Sequence, residues 1–324
     1  MIKLLLLISL SVLAFAKYDN CKFRTPHYED ICKAVVKDGV SIKYANQFLT
    51  SYFKTKKFDE ISWKYLQPNK LKTHQENEKK ANNVLVKSVP KMVENIKKYK
   101  DVYDYAELEY GVNKEIIAAI LLKETKLGEI KPTHDAFIVF NTMLTRAKPN
   151  STREKWLINL GKTNMISIIK HCYAKDVTPE QCNLPSSYAG AVGIPQFMPN
   201  SFIYAESYID KVVDLTKMED AIVSVATFLN KKAGYNKPLD WNELPYLPGV
   251  ESQWYEYEFK NKDASFVYET SKSGKIYQCF TKGKPELAYM KEYVKKIMRY
   301  NNSSNYAVGV MRLAYDAHLL LHQK

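Results

Sequence analysis

The 324-residue sequence has no Cys-x-x-Cys pair and no His-Glu-x-x-His run, so it lacks the ligand spacings through which zinc is usually held. Beyond residue 16 no stretch is long and apolar enough to cross a bilayer, which takes about 20 residues. No internal repeat is visible, which sets aside solenoids and arrays. Acidic residues are in deficit, 35 Asp and Glu against 48 Lys and Arg, a formal charge of +13. That excess favours an anionic partner, although plain solubility charge accounts for it equally well.

The first sixteen residues read as a leader rather than as part of a fold. Met1-Ile2-Lys3 is a short positive start, Leu4 to Phe15 is almost wholly apolar, and Ala14-Phe15-Ala16 is a small-x-small cleavage site. Cleavage after Ala16 is expected, with an uncleaved anchor as the alternative. Cys21 does not directly follow that site, so export without a lipid anchor, to the periplasm, is the expectation. Cleavage would remove only Lys3 and leave a charge of +12 from the +13 of the whole chain. An exported basic protein seldom meets nucleic acid, and anionic cell-wall polymer or membrane surface fits better. The remaining length suffices for one large domain or two to three small ones. Export permits disulfides. Cys21/Cys32 and Cys172/Cys182 are the natural couples and would leave Cys279 free, while five cysteines allow other pairings.

Helical periodicity dominates. Val89, Met92, Val93, Ile96, Tyr99, Tyr103, Ala106 and Tyr110 recur every three or four places and predict one long amphipathic helix stopped at Gly111. Asn113 is a cap for the next helix, which carries Ile116, Ile117, Ile120 and Leu121 and ends at Gly128. Thr216-Lys-Met-Glu219 has the form of a capping box opening a helix closed by Gly234. Glu286–Tyr300 and Ser304–Leu321 also read as helices. Residues 54–80 are polar and lysine-rich, and suit an extended connection or weak helices. Alternation in Tyr255–Phe259, Phe266–Tyr268 and Ile276–Phe280, with a Ser273-Gly274 turn, predicts a small antiparallel ribbon.

Three segments could carry chemistry. Glu124 follows Ile120 by four and Ile117 by seven, on the apolar face of its helix. A carboxylate there is held protonated towards neutral pH by burial, as a proton donor to a glycosidic oxygen must be. By spacing alone, a Glu at the stripe's edge paired with a lysine is the commoner situation, but Lys123 and Lys126 point off that face. The second segment is Ser187-Tyr-Ala-Gly-Ala-Val-Gly-Ile-Pro-Gln-Phe-Met-Pro199, a shaped loop without the Gly-Lys-Ser/Thr ending of a phosphate loop. Ser187 and Gln196 offer neutral hydrogen bonds, and Tyr188, Phe197 and Met198 offer flat or soft surface, a mixture that suits sugars; a tight turn packed on the core is the plainer account. The third is Arg299–Tyr306, polar and aromatic at once, with Ser303 as a helix N-cap.

Together these segments resemble the B-type (MltB-like) lytic murein transglycosylases, glycoside hydrolase family 103. The resemblance runs through Tyr110–Ile120, Glu124-Thr-Lys-Leu-Gly128, Ser187–Pro199, Asp220–Ala226 and Met298–Ala307 in the family's order, and the Ala-Gly-Ala-Val-Gly-x-Pro-Gln-Phe-Met-Pro string is highly specific. It implies a mainly α, lysozyme-like catalytic domain over residues 85–324, with a β insertion at about 238–284. A helical N-terminal region would fill residues 17–84. Glu124 stands at the family's only catalytic position. Ser187 and Gln196 stand where relatives bond the sugar, Tyr300, Asn301 and Tyr306 where relatives line the groove, and Phe228 where a Tyr is frequent. Leu127 replaces a Trp. Residues 73–85 lack a groove tyrosine. The stretch Tyr204–Leu215 is about two residues shorter than the family's EF-hand-like loop and has no turn Gly, so no calcium is expected there; no metal or cofactor is expected elsewhere.

The resemblance implies cleavage between N-acetylmuramic acid and N-acetylglucosamine in peptidoglycan glycan strands, leaving a 1,6-anhydro end, with one Glu as acid and then base. The alternatives are a lysozyme-like hydrolase and a non-catalytic wall-binding or scaffold protein. Wall-synthesis proteins would be further partners, and no nucleic acid.

Overall fold

The computed structural model of the chain describes residues 20–52, 57–210, 212–244, 255–260, 265–270, 276–280 and 285–322. The leader and its cleavage site after Ala16, and the Ser273-Gly274 turn, lie outside the described residues, as does the side chain of Cys279. In chain order the helices are α1 (Pro26–Lys37), α2 (Ile42–Ser51), α3 (Glu60–Tyr65), α4 (Pro68–Leu85), α5 (Val89–Lys98), α6 (Lys100–Tyr110), α7 (Lys114–Thr125), α8 (Ala136–Arg146), α9 (Thr152–Ala174), α10 (Met218–Ala233), α11 (Pro285–Ile297) and α12 (Ser304–His322). Strands β1 (His134–Asp135) and β2 (Pro185–Ser186) form one short antiparallel pair, and β3 (Tyr255–Lys260), β4 (Ser265–Thr270) and β5 (Ile276–Phe280) form an antiparallel ribbon in that order. The ribbon pairs Tyr257 with Tyr268 and Val267 with Gln278, the mainly α architecture with a small β insertion that the patterning predicts.

The chain divides into two compact units with separate cores. Among the described residues the first comprises 20–52, 57–67, 132–192 and 197–202. Its core gathers Ile31, Phe48, Phe137, Phe140 and Ile168, with Phe48 stacked on Tyr52 at 5.1 Å. Disulfides Cys21–Cys32 and Cys172–Cys182 both lie in it, the two couples that proximity suggests. Asp59 starts α3 by accepting from the Ser62 amide (2.9 Å) and also holds His134 Nδ1 (2.8 Å). The second unit comprises residues 68–131, 193–196 and the described residues from 203 to 322. Its centre is α7, where Ile116 to Leu122 are all buried; a helix apolar on every side is a core helix.

The boundary expected between residues 84 and 85 is not where the compact units part. Residues 20–67 pack with 132–192, and α4 joins the second unit. Within the first unit α8 and α9 approach closely: a Cβ on Gly161 of α9 would lie 2.7 Å from the Phe140 carbonyl of α8. The long helix expected over residues 89–110 is two, broken at Tyr99 (φ −107°, ψ 33°). Apolar spacing continues across the break, so periodicity passes over it. Gly111 and Gly234 do end α6 and α10, in the left-handed conformation. Asn113 holds the N-cap position of α7, its carbonyl accepting from the Ile116 and Ile117 amides. Its buried side chain makes no cap bond and accepts instead from the Tyr235 hydroxyl and the Leu239 amide, each at 2.7 Å. Nor does Thr216 close a capping box: α10 begins at Met218 and the Thr216 hydroxyl turns to Asp214. Residues 60–65 and 68–85, expected as weak helices or a connection, are helical.

Candidate active site

Glu124 stands in the last turn of α7. The helix ends by a Schellman-type pattern, with the Lys126 amide bonded to the Leu122 carbonyl and the Leu127 amide to the Leu121 carbonyl. Lys126, Leu127 and Gly128 then follow one another at φ 51°, 61° and 85°. Left-handed backbone is uncommon for non-glycine residues, and Leu127 is held there by burial in the core. The Thr125 hydroxyl donates to the Ile194 carbonyl (2.9 Å) and accepts from the Gly128 amide (3.0 Å). Thr125, the residue after Glu124, thus ties the end of α7 to residues 193–196.

Those four residues form a tight turn in which the Gln196 amide bonds the Gly193 carbonyl. Gln196 sits at φ 52°, a strained choice for a non-glycine residue. Its Nε2 donates to the same carbonyl at 2.9 Å, which leaves its carbonyl oxygen for a ligand. The Tyr300 hydroxyl donates to the Pro195 carbonyl. Behind Tyr300, Phe228 packs edge-on at 5.0 Å.

Glu124 Oε1 accepts the Tyr306 hydroxyl at 2.6 Å. Burial of the carboxyl pushes its pKa up from 4.5 to about 7; the Tyr306 hydrogen bond and the Lys123 charge pull it down, and the Glu78 charge raises it further. Oε1 is engaged as an acceptor, so the proton of the neutral acid belongs on Oε2. An acid of this pKa is half protonated at neutral pH and can give or take a proton there. Burial, with Glu124 alongside, raises both Tyr300 and Tyr306 well above the usual phenol range, so both stay hydroxyl donors.

The second unit therefore brings together Glu124, Gln196, Tyr300 and Tyr306 of the expected residues, with Asn301 exposed beside Tyr300. Three expectations are corrected. Phe197, Tyr306 and Phe228 are only 2%, 3% and 6% exposed, so none of these rings presents a face for a sugar, and Tyr306 acts through its bond to Glu124. Phe228 supports Tyr300 instead. Ser187 belongs to the first unit, where its hydroxyl accepts from the Ala191 amide (3.2 Å) and retains its own proton to donate. Lys123 does not point away from the site. Its ammonium lies 5.0 Å from the Tyr306 ring centre and bonds Asn82 Oδ1. Glu78 and Asn82 escaped the sequence reading because α4 is polar and shows no apolar stripe. Their i, i+4 spacing was the one available sign that they share a face.

In the stretch Tyr204–Leu215 the carboxylates turn to separate neighbours. Glu206 accepts from Thr227 (3.0 Å), Asp210 pairs with Lys217 (2.7 Å), and Asp214 Oδ1 accepts both the amide and the hydroxyl of Thr216. Among the described residues no group of three or more His, Cys, Asp or Glu is placed to hold a metal ion. No described helix is long and apolar enough to cross a membrane.

A family model described as the transglycosylase SLT domain matches residues 24–315. The chain belongs to this family. Over 132 residues it is 30% identical to membrane-bound lytic murein transglycosylase B of Escherichia coli, an overlap of 40% of this chain and 34% of that protein, about a third of the relative's length. The Escherichia coli lytic transglycosylase SLT35, solved in complex with bulgecin A, superposes with a TM-score of 0.65 at 21% identity, covering 93% of this chain and 95% of that one. SltB3 of Pseudomonas aeruginosa, solved with NAG-anhNAM-pentapeptide, superposes with a TM-score of 0.54 at 15% identity, covering 89% and 77%. The fold is thus the lysozyme-like one of the lytic transglycosylases.

Proposed function

We propose that the protein is a lytic transglycosylase that cleaves the β-1,4 bond between N-acetylmuramic acid and N-acetylglucosamine in peptidoglycan. The observation that carries this is Glu124: a carboxyl pushed to about pH 7, with one oxygen fixed by Tyr306 and the other left to donate. Glu124 protonates the glycosidic oxygen and the C1–O bond breaks. The muramic acid's own N-acetyl oxygen shares the positive charge at C1, in place of the second carboxylate that most glycosidases use. Glu124, now ionised, accepts the proton of the 6-hydroxyl as O6 bonds to C1. The 1,6-anhydro ring closes, no water is consumed, and Glu124 ends protonated as it began.

Gln196 is the sugar-bonding group of the second unit in this reading, with Tyr300 and Asn301 flanking the reacting ring. The one other carboxylate acting on Glu124, that of Glu78, is engaged by the Ser303 hydroxyl at 2.5 Å, which favours a single acid/base over a pair. SltB3 was solved with a ligand containing anhNAM, the sugar this reaction would leave. The leader-like first sixteen residues and the charge of +13 support export to the periplasm and a glycan-strand partner over nucleic acid.

Digestion of murein followed by mass spectrometry tests the proposal. Anhydro-ended fragments are expected; reducing ends carrying an added water would make the protein a lysozyme-like hydrolase. Glu124→Gln is expected to lose activity by about 10²–10⁴-fold, the usual worth of general acid/base catalysis. A wild-type chain silent on murein zymograms would leave the non-catalytic wall-binding reading.

A further inference from the structure

Helix α4 lays Glu78 and Asn82, one turn apart, against the start of α12. The Ser303 hydroxyl donates to Glu78 Oε2 (2.5 Å) and accepts the Tyr306 amide (3.2 Å), so Glu78 steadies the group that caps α12. Asn82 donates to the Asn305 carbonyl (2.9 Å) and accepts from the Lys123 ammonium. The approach is close: a Cβ on Gly309 would fall 2.2 Å from Asn82 Oδ1. Lys123 lies over the ring of Tyr306, and the hydroxyl of that ring bonds Glu124. Two routes thus run from α4 to Tyr306, one ending in a negative charge and one in a positive charge, and Tyr306 bonds Glu124.

We propose that Glu78 and Lys123 are opposed positioning residues for the catalytic proton, Glu78 holding it on Glu124 and Lys123 drawing it off. The proposal rests on Glu124 as the acid/base. The titratable and charged groups that act on Glu124 are Tyr306 on α12, Lys123 on its own helix and Glu78 on α4, with Tyr300 beside it. Glu78 and Lys123 shift it in opposite senses, and burial brings Lys123 itself down to about 8. Burial is the largest influence on Glu124 and favours its neutral form, and Lys123 and Glu78 act on it in opposite senses beneath that. When Glu124 ionises in mid-reaction, the ammonium is already in place to meet the new charge, and Glu78 limits how long it stays ionised. Asn82, neutral and bonded on both sides, keeps the ammonium over the ring.

The test uses Glu78→Gln, which keeps an acceptor for Ser303, and Lys123→Met, which keeps the apolar stem over Tyr306. The pH profile of murein cleavage is read for each, together with the carboxyl NMR titration of Glu124 in the same proteins. Glu78→Gln is expected to move the Glu124 transition down, and Lys123→Met up, each by about half a unit or more, with the double variant returning towards wild type. Transitions that coincide with wild type, or that both move the same way, would overturn the proposal. The NMR titration reads the shift without turnover. An inactive wild type would therefore overturn the assigned reaction, and leave the charge pair to stand or fall on its own.

Discussion

At the scale of single residues, Glu124 is stabilised in its neutral form by the fold, and this has a thermodynamic sign. Its folded pKa of about 7 lies above the ordinary 4.5, so the folded state binds the proton more tightly than the unfolded chain does. That contribution is complete below pH 4.5 and is lost as pH rises towards 7. Glu124→Gln should therefore melt higher than wild type at pH 8 and show less gain at pH 4.5, by a few degrees between the two; calorimetry at both pH values checks it. The same sign governs the reaction: the acid step should weaken as pH rises through about 7. Tyr306→Phe removes a bond that lowers the pKa, so the alkaline limb should move up even as the rate falls; kcat against pH reads both. Spacing placed Glu124 on an apolar face but favoured a structural role there; only the family motifs marked it as the candidate acid/base, and its neighbours were legible only in part. Lys123 faces away on a helical wheel, yet its long stem returns to the site. The rings of Phe197 and Phe228 looked available because sequence distinguishes an aromatic from an aliphatic residue but not a covered ring from an open one.

At the scale of elements, helix ends were readable where glycine supplied the left-handed residue, at Gly111 and Gly234, and misread where polar side chains had a choice of partner. Asn113 and Thr216 both find bonds outside the helix they precede. Polar α4 was the least legible element, since it carries site residues without an apolar stripe to announce it. The turn at residues 193–196 needs its first residue to be glycine. At Gly193, φ is 76° and a Cβ would lie 2.5 Å from the Leu215 side chain and 2.7 Å from its carbonyl. Gly193→Ala should destabilise the protein by roughly 1–3 kcal/mol, since backbone atoms cannot give way as a flexible side chain can. It should also cut activity by displacing Gln196. Urea denaturation and murein assays report the two effects separately.

At the scale of the whole molecule, the mainly α class and the ribbon were legible from periodicity, but the division into units was not, because it depends on pairings between distant segments. Both disulfides serve the first unit only. Reduction should destabilise it by roughly 2–4 kcal/mol per bridge and leave the second unit nearly unchanged; melting in reductant should split one calorimetric transition into two, the earlier one belonging to α1, α2, α8 and α9. The same division bears on synthesis. The Tyr28 hydroxyl of α1 bonds Asn141 of α8, 113 residues later. At about 5–20 residues per second on a ribosome, α1 waits roughly 6 to 20 seconds for its partner. Cys21 and Cys32 need only eleven residues to meet. In an exported chain that covalent clasp itself has to await an oxidising compartment, so during that wait neither bridge nor core closes the first unit, and the apolar side of α1 must be covered by something other than the finished fold.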